Sequence, residues 1–173
     1  MKSAVRMFVA VLVIGLVFGG IAIAQITSKT DANIELVRKH HEEVFSKGNL
    51  VVADEIYSNE VVRHSADMPD IRGREAYKQF MLGTREGFPD WKETIENIIA
   101  SGEFAATKVT ATGTMTGPLR GPEGTLPPTG KRVELPCVVI WRFAEGKIVE
   151  IWVYYDSVRI LSAIGVLPPP PPK

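Results

Sequence analysis

A single cysteine, Cys137, stands in a chain of 173 residues. One thiol allows no intramolecular disulfide and no cysteine-based zinc site. Histidine is scarce too, with His40, His41 and His64 the only imidazoles. The His-His-Glu-Glu run at 40–43 lacks the i, i+4 histidine pair of a zinc-protease helix, so no metal site is expected. The 20 basic and 20 acidic residues cancel to a formal charge of zero. Without a basic stripe, nucleic-acid binding is not expected. No nucleophile elbow, phosphate-binding glycine loop or dinucleotide fingerprint occurs. The glycines at Gly113 and Gly117 close a strand with no helix after it.

What remains is a chain that is 45% hydrophobic, enough for one ordinary domain with a core. Residues 1–24 read as a signal peptide. Lys2 and Arg6 form a positive start, Met7 to Ala24 is uncharged, and Ala22-Ile23-Ala24 fits a small-x-small cleavage site. Export to the periplasm or medium is the expectation. The alternative is an uncleaved anchor, since the run at 7–24 approaches the length that spans a bilayer. Without that segment, 18 basic and 20 acidic residues remain.

Residues 25–30 form a polar lead-in, 31–166 the folded domain, and 167–173 a proline-rich tail expected to be extended and unpacked. Asp31 to Lys47 has helical periodicity, with Ile34, Val37, His41, Val44 and Phe45 on one side. His40, Glu42 and Glu43 then fall on a solvated face. A second helix follows Asn49, and a third spans Arg74–Gly87 with Tyr77, Phe80 and Met81 inward. Ala66–Gly73, between them, reads as a loop. The later chain turns to β: Trp91–Ala100, Phe104–Thr116, Arg132–Phe143 and Ile148–Asp156 are rich in β-branched and aromatic residues. Val158–Gly165 closes with a short helix. Helices first and strands second predict an α+β fold, with helices on one face of an antiparallel sheet.

The last two strands are joined by Glu145-Gly146, which predicts a tight hairpin. In an unbroken register Val139 faces Trp152, Cys137 faces Tyr154, and Leu135 faces Asp156. One face would then gather Cys137, Val139, Trp141, Trp152, Tyr154 and Asp156 as the wall of a pocket. There Asp156 would be desolvated, and a carboxylate with a raised pKa suits proton transfer. A second reading is equally open: Asp156 ends its strand and caps the helix from Val158. Both faces of the hairpin are apolar, which suggests cover on both sides. His64 shares parity with Val62 and could point inward beside the acid. His41, Tyr77 and Phe80 reach the same interior from the helices, as core or as pocket lining. Cys137 has no positive neighbour in sequence and reads as an inert buried thiol.

Several motifs in this order resemble the SnoaL-like polyketide cyclase (ester cyclase) family of the nuclear-transport-factor-2-like superfamily. They are Phe45 to Leu50, Val62-Arg63-His64, Phe88-Pro89-Asp90-Trp91, Pro127 to Val133, and Gly146 to Trp152 followed by Asp156 and Leu161. The resemblance covers roughly 31–166. It implies a cone in which a curved sheet wraps three helices around an apolar pocket, and a homodimer formed through the sheet face. It also implies cofactor-free acid–base chemistry on a small apolar carbonyl compound: aldol cyclisation, isomerisation or hydrolysis. Asp156 would move the proton and His64 would assist. Met115 stands where members of the family often carry a histidine. A non-catalytic small-molecule binder and a dimeric interaction module are the alternatives.

Overall fold

A computed structural model describes residues 29–121 and 124–168. The expected signal peptide and most of the proline tail lie outside the described residues. Among those described, no helix is long and apolar enough to cross a membrane.

The first helix, α1, is α-helical over residues 29–39 and continues as a π-helical stretch, His40–Ser46. Then come α2 (Leu50–Ile56), strands β1 (Tyr57–Ser65) and β2 (Met68–Arg72), and α3 (Arg74–Gly87). The remaining strands are β3 (Lys92–Ser101), β4 (Phe104–Thr114), β5 (Leu119–Gly121), β6 (Gly124–Leu126), β7 (Arg132–Ala144) and β8 (Lys147–Tyr155), and α4 (Ser157–Ala163) ends the fold. Six strands make one sheet in the order β2-β1-β8-β7-β4-β3. The sheet is mixed rather than wholly antiparallel, because β1 and β8 run parallel. The stretch read as a loop at Ala66–Gly73 supplies β2, and β5 and β6 form a small separate hairpin in the Gly/Pro-rich segment after β4.

One sheet face is the core face. Along β4, Ala105, Thr107, Val109 and Ala111 are buried in alternation, and along β7 Val133, Leu135, Cys137, Val139, Trp141 and Phe143. Val37, Val44, Phe45, Ile56, Tyr77 and Met81 cover them from the helices. Pro136 lies beyond the β8 ladder, which pairs with β7 only from Cys137 onward, and stays in register with Thr110 of β4.

The β7–β8 hairpin departs from the expected register. Glu145 and Gly146 do form the turn, both with positive φ (52° and 70°), and Ala144 opposes Lys147. A bulge then intervenes: Phe143 pairs with Ile148, but Arg142 pairs with Glu150, so Val149 is the extra residue. Beyond it every side chain changes face. Ile151, Val153 and Tyr155 lie opposite Trp141, Val139 and Cys137, while Trp152 and Tyr154 lie opposite Ile140 and Val138. Trp152 and Tyr154 are therefore on the outer face, not in the interior, and Tyr154 is 52% exposed.

Candidate active site

The π-helical stretch builds the centre of the site. Its wider i→i+5 spacing turns two consecutive residues inward, so His40 (3% exposed) and His41 (1%) are both buried. His40 is thus not on a solvated face. The Ser46 hydroxyl donates to the His41 carbonyl at 2.6 Å and accepts from the Glu93 amide at 2.9 Å, pinning the stretch to β3. Arg85 caps the helix exit by donating to the carbonyls of Phe45 and Ser46, 3.0 Å each.

Glu93 enters from β3. Its Oε2 lies 2.6 Å from His41 Nδ1, and its Oε1 accepts from the Trp91 indole at 3.2 Å. On its other side, His41 Nε2 is 3.3 Å from the Thr107 hydroxyl, which accepts from the Trp141 indole at 3.1 Å. An indole N–H only donates, so the Thr107 hydroxyl accepts from Trp141, and its one proton can go to His41 Nε2 or to the Val139 carbonyl at 3.5 Å. Both imidazole nitrogens are then occupied, and Glu93 is the member of the chain with accepting capacity to spare. Glu93 also lines an open groove of about 470 Å³, together with Glu42, Ser46, Lys47, Pro89, Asp90, Trp91 and Lys92.

A second buried pair lies alongside. His40 Nδ1 is 2.5 Å from the Tyr57 hydroxyl, and the Trp141 ring meets His40 edge-on at 4.4 Å. Burial, then the neighbouring His41 and Arg63, hold His40 well below the usual imidazole range. Burial drives the Tyr57 and Tyr77 phenols upward. These are neutral hydrogen-bonding groups at ordinary pH. His40, His41 and Glu93 could also converge on a cation, since one ligand atom of each lies within 4.8 Å of the others. In this structure His41 and Glu93 share a hydrogen bond, and His40 Nδ1 meets the Tyr57 hydroxyl.

The residues expected to carry chemistry lie elsewhere. Asp156 is exposed and is the N-cap of α4, its Oδ1 accepting from the Arg159 amide at 3.0 Å. His64 does not face the interior. It pairs with Trp152 in the sheet, stacks on that ring at 5.4 Å, and bridges Asp70 (2.8 Å) and Glu150 (3.0 Å) on the outer face. Asp156 and His64 are thus not brought together around a cavity. Trp141, Val139, Cys137, His41 and Tyr77 are in the interior, with Phe80 partly buried against it. Sequence reasoning missed Glu93, Thr107, Tyr57 and Arg63. Glu93 carried a signal: an acid between Trp91 and Ile95 at strand parity, on a face otherwise apolar.

Against known proteins, a model of the family described as SnoaL-like polyketide cyclase matches residues 35–164. This chain belongs to the SnoaL-like polyketide cyclase family. The fold is accordingly the nuclear-transport-factor-2-like cone, helices followed by a curved mixed sheet that does not close into a barrel. A structure described as a SnoaL-like polyketide cyclase from Jannaschia sp. CCS1 is 25% identical, with a TM-score of 0.72, covering 80% of this chain and 95% of that one. IdmH from Streptomyces antibioticus, described as a polyketide cyclase, is 28% identical with a TM-score of 0.63, covering 76% and 96%. AclR from Streptomyces galilaeus, described as a hydroxylase, is 26% identical with a TM-score of 0.66, covering 84% and 86%. No curated protein matches the chain. The cyclase-like fold thus carries differently described activities among its relatives, and the reaction must be read from side chains.

Proposed function

We propose that this member of the SnoaL-like family is a cofactor-independent acid–base enzyme acting on a small apolar carbonyl compound, with Glu93 as the proton-transferring group. The observation that carries the reading is the Glu93 carboxylate, held by His41 on one oxygen and Trp91 on the other, in a residue that lines the groove. A base so fixed loses little freedom when it meets substrate. In the proposed step Glu93 takes the proton α to the carbonyl. The C–H electron pair becomes the enolate, and the proton is returned to carbon or oxygen after the enolate has attacked, isomerised or expelled a group. His41 and Trp91 act as positioning residues. Ring closure and isomerisation share this first step, whereas in hydrolysis Glu93 would take its proton from the attacking water as the acyl bond breaks and the leaving group departs. Export through residues 1–24 and a homodimer through the outer sheet face belong to the same proposal. Exposed Tyr154, Val138, Phe104 and Ile99 support the dimer, and sedimentation of Tyr154→Glu, monomeric against a dimeric wild type, checks it.

The test is deuterium uptake at the central carbon of acetylacetone, followed by NMR. The wild type is expected to accelerate exchange and Glu93→Gln to lose at least about a hundredfold. A second reading, a non-catalytic binder, is favoured by the occupied nitrogens of His41 and the close ring packing around His40. Ligand-induced thermal stabilisation with no exchange in the wild type, unchanged in Glu93→Gln, would select it.

A further inference from the structure

Arg63 is a cation on the wrong side of the sheet for a surface arginine. Its neighbours on β1, Val62 and His64, are only partly buried, whereas Arg63 is 4% exposed on the core face, opposite Ile151 of β8. Its guanidinium lies 4.6 Å from the centre of the Phe80 ring, and Nη1 donates to the Met68 sulfur at 3.1 Å, a weak acceptor. Among the described residues no carboxylate comes within ion-pair distance of it, while nine other cationic side chains of the fold have one, from Lys29 to Arg142. The nearby Asp67 is engaged by the hydroxyls of Ser65 and Tyr155. With no carboxylate beside it, a guanidinium so largely buried carries a desolvation cost that no ion pair offsets. An apolar side chain of the same length would fill that space at no such cost.

We propose that Arg63 is an anion-recognition residue, and that the ligand of this protein is an apolar molecule bearing a carboxylate, which pairs with the guanidinium beneath Phe80. The planar fork of arginine suits two parallel bonds to a carboxylate. Met68, Phe80 and Tyr155 around it are only partly buried, which leaves this end of the interior near solvent. The inference rests on the acid–base reading for its view of the ligand as substrate, but its readout is binding, so the two can fail separately.

The experiment is calorimetric titration with phenylacetate and its neutral isostere phenylacetamide, at equal ionic strength. The wild type is expected to bind the carboxylate at least about tenfold more tightly. Arg63→Met is expected to abolish that preference and Glu93→Gln to retain it. Arg63→Met should also melt no lower than the wild type, because an unpaired buried charge has been replaced by an apolar chain of similar length. Arg63→Lys, which keeps the charge but not the fork, should keep a reduced preference. Equal affinity for the two probes in the wild type, or no binding of either, overturns the proposal. So does a preference that survives Arg63→Met, or a lowered melting temperature or failure to fold in Arg63→Met, which would mark the guanidinium as a structural group.

Discussion

Nδ1 of His41 and Oε2 of Glu93 meet at 2.6 Å across 52 residues of chain, and the contact locks the π-helical turn of α1 onto the edge strand β3. It is one link in a connected row: Trp141 donates to Thr107, the Thr107 hydroxyl meets Nε2 of His41, and Nδ1 of His41 meets Glu93. Thr107→Val leaves the Trp141 indole without its acceptor and should cost about 1–3 kcal/mol in chemical denaturation. Glu93→Gln should cost a similar amount. Since the two changes disturb one network, the double variant is expected to fall short of their sum by more than about 0.5 kcal/mol. Strict additivity would mean that the row is not coupled.

Asp156 offers a clean separation of capping from chemistry. Asparagine caps about as well as aspartate, whereas alanine does not. Asp156→Asn should therefore keep both stability and any turnover, and Asp156→Ala should lose about 1 kcal/mol of stability while turnover of the folded protein is kept. Turnover lost in a fully stable Asp156→Asn protein would return the catalytic role to Asp156 and remove it from Glu93.

Burial, with a smaller push from Glu93, raises the Cys137 thiol to about 12. Relative to a free thiol at 9.0, that means roughly a thousandfold less thiolate at mildly alkaline pH. Labelling by iodoacetamide is expected to be slower by at least that factor in the native protein and to become fast in denaturant. Rapid native labelling would show that the core face opens near Cys137.

His64 makes the outer face pH-sensitive. Burial tends to lower its pKa, but its bonds to Glu150 and Asp70 outweigh that and raise it above 6.5. A group with a raised folded pKa stabilises fully below its unfolded value, and that contribution fades as pH rises through the folded value. His64→Gln should thus cost more stability at about pH 5.5 than at about pH 9, by no more than about 1 kcal/mol for a partly exposed pair. Buried His40 acts with the opposite sign. Its lowered pKa means stability is lost as pH falls below 6.5, so the His64 effect must be read as a difference between variant and wild type. A cost independent of pH would sink the ion-pair account.

The helices and the four long strands after α3 were legible because the chain switches from helical periodicity to β-branched runs near Trp91, whereas β2, in a stretch read as a loop, was not. The hairpin turn was legible too, since Glu145-Gly146 announces the positive φ values it adopts. What was not legible is where one residue too many is inserted. Val149 in β8 and the π-helical spacing of His40–Ser46 each break an otherwise regular period. The first sends Trp152 and Tyr154 outward; the second brings His40 inward. Neither leaves a composition signal, because bulge and wide turn are both settled by what packs against them. The candidate site inherits that blindness: Glu93 and Thr107 meet His41 only through the pairing of β3 with β4, which spacing along the chain does not encode.

The order β2-β1-β8-β7-β4-β3 also has a consequence for how the protein is made. Of the described strands β8 is the last in chain order, yet it is the one that joins the β2-β1 pair to the β7-β4-β3 block. Until it arrives, two half-sheets each present a raw edge, and the parallel closure of β1 on β8 spans most of the chain, a slow kind of contact to form. The keystone of the sheet is thus made after the strands it joins, and chains cut short before Lys147 should be substrates for proteases and chaperones rather than shorter versions of the same fold.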